Sequence, residues 1–236
     1  MEDVFPADPY ADAGGWIEEI PVQSGSSKVI YRRIKRAIDI MLVLMALPVG
    51  VFLGVLVALL VYLEDGQPIF FSQKRTGLGG RRFKMYKFRT MVVNAEEMLK
   101  ELAAQGLAKL DDNGKLAEPL KLERDPRITR VGRILRKTSL DEIPQLFNVL
   151  RGDMSLVGPR PTSWDVESYN LFQTERLSVR PGITGLWQIY SRGNTDFNNW
   201  LYWDVKYIDR MSFYLDFRII LETFLRVAFR RQKGAR

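Results

Sequence analysis

The chain has 236 residues, a formal net charge of +7, and neither cysteine nor histidine. These absences exclude disulfide bonds, thiolate and imidazole metal ligands, a cysteine nucleophile and a Ser-His-Asp triad. Any catalytic centre must use carboxylate, Lys, Arg, Tyr, Ser or Thr. Any metal must accept oxygen ligands, which favours a hard cation such as Mg²⁺. The positive charge indicates an anionic partner: a membrane surface, nucleic acid or a phosphorylated small molecule.

Residues 1–27 differ in composition from the rest of the chain. They carry six acidic residues and no basic one, together with several Pro and Gly and a Ser-Gly-Ser-Ser run. This composition predicts a mostly disordered acidic tail. The segment has no basic region followed by an apolar core, so it is not typical of a secretory signal.

A membrane-inserted segment is predicted over residues 28–63. A basic cluster is followed by residues 40–63, which contain no charge. A straight helix of this length is long enough to cross a bilayer core of about 30 Å. Two features favour a re-entrant helix instead: Pro48 tends to break or kink a helix, and both flanks are basic, as expected if both lie on the cytoplasmic side. The residues alone leave both paths open.

A β-hairpin is predicted next, with strands over residues 68–73 and 81–91 and a turn over residues 76–80. Alternation along the second strand places Lys87 and Arg89 on one face. A basic helix follows Asp125-Pro126 and includes Arg136. Its basic residues fit either a solvated helix face or a site that holds phosphates.

Residues 138–161 contain two adjacent carboxylates, Asp141 and Glu142, before an apolar run that ends at Gly152. Because Pro144 is tolerated only in a first helical turn, the pattern predicts a helix that begins near residues 140–143, with both carboxylates at the positive end of its dipole. Taken alone, such a pair is usually no more than a favourable dipole contact. The segment closes with Arg160 between two prolines, which preorganises its position.

Two apolar regions near the C-terminus each allow two interpretations. Trp200, Tyr202, Trp203 and Tyr207 fit an aromatic belt at the level of lipid headgroups or an ordinary core cluster. From residue 213 to 230, apolar residues occupy one helix side and polar residues recur every four on the other. Together with the basic end, this pattern predicts an interfacial helix on anionic lipid, the alternative being a helix packed on the core.

Several longer motifs together resemble one family, the bacterial sugar transferases, or monotopic phosphoglycosyl transferases, that prime exopolysaccharide and glycan assembly on polyprenyl phosphate. The resemblance covers residues 31–221 and omits the acidic tail. One departure is Leu47, where members often have Ser before the membrane proline. The motifs are KRAID at 35–39, YKFRTM at 86–91, DPRIT at 125–129, RKTSLDEIPQL at 136–146, GPRP at 158–161 and RPGITG at 180–185.

The resemblance implies an α+β fold, mostly helical, in which a re-entrant membrane helix, a small β-hairpin and amphipathic interfacial helices surround a compact catalytic domain. The domain organisation is then a disordered tail over 1–27, a membrane-inserted helix over 28–63 that breaks at Pro48, and a cytoplasmic catalytic domain over 64–236. The implied location is the cytoplasmic face of the bacterial inner membrane.

The reaction implied is transfer of a sugar 1-phosphate from a UDP-sugar to undecaprenyl (polyprenyl) phosphate with release of UMP. The resemblance implies that Asp141 is the nucleophile and forms a covalent intermediate with the phosphosugar. It also implies that Glu142 binds Mg²⁺ together with Asp141. Phosphate binding falls to Lys87, Arg89, Arg136 and Arg160, which match basic positions of the motifs.

The expected partners are the UDP-sugar, polyprenyl phosphate, the lipid bilayer and downstream glycosyltransferases, with no nucleic acid. Homo-oligomerisation, the pathway and the sugar (galactose, glucose or an N-acetylated sugar) are left open. The alternative function is a membrane-tethered basic module that binds nucleic acid or anionic lipid, which accounts for neither the Asp-Glu pair nor the Pro-Arg-Pro. A catalytically idle scaffold is a third hypothesis, disfavoured by the intact carboxylates.

Overall fold

The computed structural model describes residues 11–22, 24–110, 125–171, 173–191 and 197–228. The chain is mostly helical with two small sheets, one antiparallel and one parallel, which confirms the predicted fold class in its broad form. The helices are α1 (Ala11–Glu18), α2 (Gly25–Asp65), α3 (Ala95–Ala104), α4 (Arg130–Thr138), α5 (Gln145–Arg151), α6 (Leu186–Tyr190), α7 (Phe197–Arg210) and α8 (Phe213–Ala228). The strands are β1 (Phe70–Thr76), β2 (Arg82–Phe88), β3 (Ser155–Val157) and β4 (Gly182–Thr184).

The apolar stretch lies within α2, a helix of 41 residues. Among the described residues, it is the one helix long and apolar enough to cross a membrane. Pro48 lies inside this helix, which does not end there. Proline removes one backbone hydrogen bond, and the intact bonds on both sides keep the element continuous. The predicted break at Pro48 therefore does not divide the helix in two, and the re-entrant path stays a prediction.

One face of α2 packs along the rest of the chain on both sides of Pro48. Val43 is buried against β2 and α5, and Val57 and Val61 are buried against β2 and α4. The remaining surface of the apolar stretch is exposed, which is the pattern of a helix that meets lipid on one side and protein on the other. The exposed side chains include Met41, Leu42, Leu44, Met45, Val49, Val51, Phe52, Val55, Leu56, Leu59, Leu60 and Leu63.

The predicted hairpin is confirmed. β1 and β2 pair antiparallel from Phe70 opposite Phe88 to Thr76 opposite Arg82. The alternation of β2 buries Phe83 and Met85 in the cluster shared with α2 and α5, which fixes the hairpin against both helices.

The N-terminal tail is more ordered than its composition predicts. Within residues 11–22, α1 forms, and Ile17 and Ile20 are buried in the main core. Trp16 donates a hydrogen bond of 2.7 Å to the hydroxyl of Tyr190, and Glu18 pairs with Lys206 at 2.6 Å. The prediction of disorder over 1–27 is therefore wrong for this part, because a few apolar side chains dock on distant elements that average composition does not reveal. Residues 1–10 lie outside the described part.

The aromatic cluster near the C-terminus belongs to the core. Trp203 and Tyr207, on α7, are 0% and 2% exposed and pack with residues of β3, α6 and α8. Of the two interpretations left open for these aromatic residues, the core cluster is therefore the one that holds for this buried pair.

The last helix, α8, contacts the core with one face and exposes an apolar face on the other side. Leu215 and Ile219 are fully buried. Five apolar side chains that the sequence placed on the lipid side are exposed: Phe217, Ile220, Leu221, Phe224 and Leu225. Phe213 and Tyr214, in the first turn, are exposed as well. The polar residues Arg218 and Arg226 instead contact protein, over the ring of Trp16 and at the carbonyl of Ile189. The basic end of the predicted helix, from residue 229 onward, lies outside the described residues.

Candidate active site

The adjacent carboxylates occupy a short connection between α4 and α5. Ser139 ends α4 in the left-handed conformation with φ of 59°, and Leu140–Glu142 form one 3₁₀ turn. Pro144 and then α5 follow, and Gly152, at φ 86°, ends α5 as predicted. The helix therefore begins later than the sequence predicted, and the carboxylates lie before α5 and not within its first turn. Pro144 accounts for the shift, since it has no N–H to donate to a preceding turn and is best placed at the helix start.

Asp141 and Glu142 share one lysine from the neighbouring strand. The ammonium of Lys87 lies 2.8 Å from Glu142 Oε1 and 3.7 Å from Asp141 Oδ2. Asp141 is buried, at 7% exposed. The structure thus joins three of the predicted site residues from β2 and from the α4–α5 connection.

The pKa of Asp141 lies above its ordinary value. Burial is the main cause, and the Glu142 carboxylate adds to it, whereas Lys87 and Arg136 act in the opposite direction. A carboxylate that water solvates poorly holds a proton more tightly and is also a better nucleophile once ionised. Lys87 and Arg136 offset part of the effect of burial and favour the ionised form of this carboxylate.

Arg136 reaches the same site from the last turn of α4. Its Nε donates a hydrogen bond of 2.9 Å to Thr90 Oγ1, and burial lowers the pKa of its guanidinium while Asp141 and Asp125 raise it. Gly132 makes this approach available, because a side chain there would collide with the carbonyl of Thr90. The basic helix predicted from the sequence is therefore a wall of the site, and its default interpretation as a solvated face does not hold for Arg136.

Arg160 is held between two tryptophans as well as between two prolines. Its guanidinium lies over the rings of Trp187 and Trp200, at 4.5 and 5.1 Å from their centroids. Its backbone N–H donates to Asp204, and its carbonyl accepts from Arg176 at 2.7 Å. Neither the rings nor the ion pair was predicted from the sequence.

Arg89 does not join the carboxylates. Its Nη2 donates to the carbonyls of Asp65 and Gly66 at 2.8 and 2.9 Å, which ties the hairpin to the end of α2. Its Nε and Nη1 are buried without a hydrogen-bond partner among the described residues, and the side chain borders the same cleft as Lys87. Lys87 and Arg89 therefore border one cleft but bind different partners, and the shared strand face predicted for them stays a prediction.

A cleft of about 1190 Å³ connects these residues. This is large enough for a nucleotide-sized ligand. Its walls come from the hairpin, α3, α4 and the segments around Arg160 and Trp187. The basic residues that border it are Arg75, Lys87, Arg89, Arg127, Arg133, Arg136, Lys137 and Arg160, and the acidic ones are Glu96, Glu97, Asp125, Asp141 and Glu142.

Arg75 is a cleft residue that sequence reasoning missed. Burial, followed by the neighbouring guanidiniums of Arg160 and Arg82, lowers its pKa to about 10. Its position two residues after Gln73 on β1 was a usable signal, because alternate residues of a strand share a face. Gln73 accepts a hydrogen bond of 2.6 Å from Arg75. An anion in the cleft relieves the repulsion between these cations.

The described residues contain no group of three or more His, Cys, Asp and Glu side chains arranged around a common metal position. Two carboxylates are nevertheless enough for Mg²⁺, which commonly binds one or two protein carboxylates and takes its other ligands from substrate phosphates and water. The donor set of Asp141 and Glu142 therefore fits a magnesium ion that arrives with a phosphorylated substrate.

Comparison with known proteins identifies the family of this chain. The model of the family described as "Bacterial sugar transferase" matches residues 30–230. The chain is 52% identical over 162 residues to a galactosyl transferase, CpsE, of Streptococcus agalactiae, covering 68% of this chain and 34% of that protein. It is 41% identical over 216 residues to the undecaprenyl-phosphate galactose phosphotransferase of Salmonella typhimurium, covering 89% of this chain and 43% of that protein.

A third relative has nearly the same length. The exopolysaccharide production protein ExoY of Rhizobium meliloti is 38% identical over 213 residues, covering 90% of this chain and 93% of that protein. The chain thus spans less than half of the streptococcal and Salmonella proteins and almost all of the rhizobial one. Since the family model matches most of its length, the chain belongs to the bacterial sugar transferase family.

Proposed function

We propose that the protein transfers a sugar 1-phosphate from a UDP-sugar to undecaprenyl phosphate and so primes exopolysaccharide synthesis. The names of the Salmonella and rhizobial relatives support this reaction class. The observation that carries the proposal is the buried Asp141, which shares Lys87 with Glu142 at the edge of a basic cleft. A cleft bordered by eight basic and five acidic side chains, with a buried carboxylate beside a lysine, fits a phosphorylated substrate and a reacting group.

The first step is attack on the sugar-bearing phosphorus of the UDP-sugar. An oxygen of Asp141 forms a bond to this phosphorus, and the bond to the bridging oxygen breaks, so that UMP leaves with the bonding electrons. In the second step, a phosphate oxygen of undecaprenyl phosphate attacks the same phosphorus and the bond to Asp141 breaks. Neither nucleophile has to lose a proton if both are ionised, so a site without histidine suffices.

The cations of the cleft bind the charge that the reaction moves. Lys87 lies beside both carboxylates and reaches a phosphate attached to Asp141. Arg136 and Arg160 border the cleft from two other sides and supply the planar donors that suit phosphate oxygens. Arg89 contributes through the two guanidinium nitrogens that have no partner among the described residues.

Mg²⁺ is the proposed cofactor, and Asp141 and Glu142 are the residues that would hold it. When bound, such an ion neutralises diphosphate oxygens and stabilises the leaving phosphate. Glu142 is the more available of the two ligands, since Asp141 must also reach phosphorus.

A re-entrant path of α2 completes the proposal. Lys35, before the apolar stretch, forms an ion pair of 2.6 Å with Asp216 of α8. Glu64, after the stretch, accepts hydrogen bonds of 2.7 and 2.9 Å from the backbone N–H groups of Arg130 and Val131. A straight spanning helix separates its ends by a bilayer core of about 30 Å. Because both ends contact the same domain, we place the domain and both ends on the cytoplasmic face.

The exposed apolar face of α8 supports the same placement. Outside the core-facing residues Leu215 and Ile219, its large apolar residues are exposed, whereas Arg218 and Arg226 contact protein, which is the reverse of a helix at a water-exposed surface. We therefore propose that α8 lies in the membrane interface beside α2.

The test combines purified protein, Mg²⁺, undecaprenyl phosphate and a panel of UDP-sugars: galactose, glucose, N-acetylgalactosamine and N-acetylglucosamine. We expect UMP release with at least one sugar and formation of the lipid-linked sugar diphosphate. The Asp141→Asn variant serves as the matched control. Folded protein that releases no UMP with any sugar of the panel contradicts the proposal.

A further inference from the structure

A small cavity of about 90 Å³ lies outside the catalytic cleft, between the first turns of α2 and the segment before β4. Three arginines border it: Arg32 and Arg36 on α2, and Arg180. Arg36 donates to the carbonyls of Val149 and Leu150, and Arg180 donates to that of Gly152, so the cavity lies at the C-terminal end of α5. Asp141 and Glu142 precede the other end of α5.

The protein balances the charge of these arginines only in part, since one carboxylate, that of Asp39, borders the cavity and attracts the guanidinium of Arg36. Lys35, which also borders the cavity, pairs with Asp216 at 2.6 Å and with Asp39 at 3.6 Å. Among the described residues, Arg32, Arg36 and Arg180 have no carboxylate within ion-pair distance. The carbonyls at the end of α5 position two of the guanidiniums and attract their positive charge, but they do not neutralise it.

Two polar atoms at this cavity are buried without a hydrogen-bond partner among the described residues. They are Nε of Arg32 and Oγ of Ser178. Buried donors are normally satisfied by protein, water or a ligand. A guanidinium N–H and a hydroxyl that border the same cavity are both able to donate to one anion of phosphate size, and the excess positive charge favours an anion over water.

The location indicates the source of the anion. Arg36 is four residues before Ile40, where the uncharged stretch of α2 begins. Tyr31, which borders the cavity, packs its ring at 5.0 Å from that of Phe213, the first residue of α8. The cavity therefore lies where two elements with exposed apolar faces meet, at the depth expected for lipid headgroups.

We propose that this cavity binds the phosphate of an anionic phospholipid, with Arg32, Arg36, Arg180 and Ser178 as its ligands. The acyl chains then lie along the exposed apolar surface of α2. This site is separate from the proposed catalytic cleft and does not depend on the proposed reaction.

The test measures lipid binding by the full chain in detergent, by native mass spectrometry and by thermal stabilisation. The probes are dioctanoyl phosphatidylglycerol, the phosphatidylcholine with the same chains, and inorganic phosphate. We expect phosphatidylglycerol to bind more tightly than either of the others. Arg32→Gln and Ser178→Ala should each weaken its binding, by roughly tenfold for the arginine, because a charge-assisted hydrogen bond is lost.

Arg33→Gln is the matched control, since Arg33 is an exposed neighbour on the same helix and does not border the cavity. Its binding of phosphatidylglycerol should stay within about twofold of the unmodified protein, because surface charge is screened. Equal losses in Arg32→Gln and Arg33→Gln overturn the site, since general surface charge then explains the attraction. Unchanged binding in both cavity variants shows that the cavity holds water only. Inorganic phosphate that binds as tightly as phosphatidylglycerol overturns the assignment to lipid.

Discussion

Asp204 accepts a hydrogen bond of 3.3 Å from the backbone N–H of Arg160, although 44 residues separate the two in the chain. Arg176 pairs with the same carboxylate and donates to the carbonyl of Arg160. Both backbone polar groups of Arg160 are therefore held by one buried ion pair, while Trp187 and Trp200 hold its guanidinium. This arrangement fixes the position of Arg160 at the border of the cleft.

The affinity for UDP-sugar should depend on the protonation of Asp204. Burial raises the pKa of this carboxyl to about 6, against the attraction of Arg176. As the pH falls through that value, the hydrogen bonds to Arg160 and Arg176 lose their charge assistance. We expect the Kd for UDP-sugar, measured in an Asp141→Asn background to prevent turnover, to rise several-fold on acidification from about pH 7 to about pH 5.

Unfolding does not account for this loss. The pKa of Asp204 in the folded chain lies above the ordinary value of 3.8, so the folded state binds this proton first. From about pH 6 down to about pH 4 the titration of Asp204 therefore favours the folded state. Adding Asp204→Asn should give weak affinity at every pH and remove the inflection. An inflection that persists in the double variant assigns the pH dependence to another group.

The assignment of roles within the carboxylate pair is tested by two substitutions of the same kind. Asp141→Asn should abolish phosphosugar capture, by which we mean formation of the covalent bond between residue 141 and the phosphosugar. It should also lower turnover by about 10³-fold or more, because an amide is a poor nucleophile. Glu142→Gln removes the same charge one residue away and should still form the covalent intermediate, which intact-mass spectrometry detects after incubation with UDP-sugar alone. Capture by Asp141→Asn but not by Glu142→Gln reverses the two roles.

Short-range pattern predicted the hairpin, the position of Lys87 on β2 and the end of α5 at Gly152, which depend on neighbours within a few residues. It placed Asp141 and Glu142 at a helix start, whereas they form a 3₁₀ turn before α5. The burial of Ile17 could not be predicted from short-range pattern, because Ile17 belongs to a cluster with residues of α7 and α8, nearly two hundred residues later in the chain. The same limit applies to Arg160, whose prolines are local but whose tryptophans and ion pair are distant.

Side-chain direction marks a second limit. Lys87 and Arg89 both border the cleft, yet Arg89 lies just after β2 and its side chain turns toward the end of α2, whose position is set by packing along the whole helix. The buried Trp203 and the exposed Phe217 are equally apolar in sequence, and only the tertiary structure distinguishes a core residue from one that faces lipid. Periodicity predicts a face but not what covers it.

Removing Lys87 should shift the pH dependence of capture. Lys87 is the largest influence that lowers the pKa of Asp141, against the burial that raises it. Lys87→Met should therefore raise this pKa further, so that the acidic limb of the capture rate moves to higher pH and the rate near neutral pH falls by about 10- to 100-fold. Lys84→Met is the control, because Lys84 lies on the same strand, is exposed and does not border the cleft. If the acidic limb of the capture rate stays at the same pH in Lys87→Met, Lys87 does not lower the pKa of Asp141.

A lysine at position 160 should not reproduce the function of Arg160 in binding UDP-sugar. Lys keeps the charge but lacks the planar guanidinium that stacks on Trp187 and Trp200 and that binds two phosphate oxygens at once. We expect Arg160→Lys to raise the KM for UDP-sugar about tenfold with a smaller change in kcat. Arg151→Lys is the comparison, since Arg151 is exposed and lies over a different ring, that of Phe147. If the two substitutions change KM and kcat equally, Arg160 has no specific role in binding UDP-sugar.

Labelling of the two ends of α2 from either side of the membrane distinguishes a re-entrant helix from a spanning one. The chain has no cysteine, so a single cysteine introduced at Ser27 or at Gln67 is the only thiol in each variant. These positions lie before and after the apolar stretch, whose two ends contact one domain through Lys35 and Glu64. In sealed inverted membrane vesicles, whose cytoplasmic face is outside, we expect an impermeant maleimide to label both variants, and in intact spheroplasts neither. Labelling of one variant in each preparation requires a spanning helix, and the contacts of Lys35 and Glu64 with a single domain could not then both persist in the membrane.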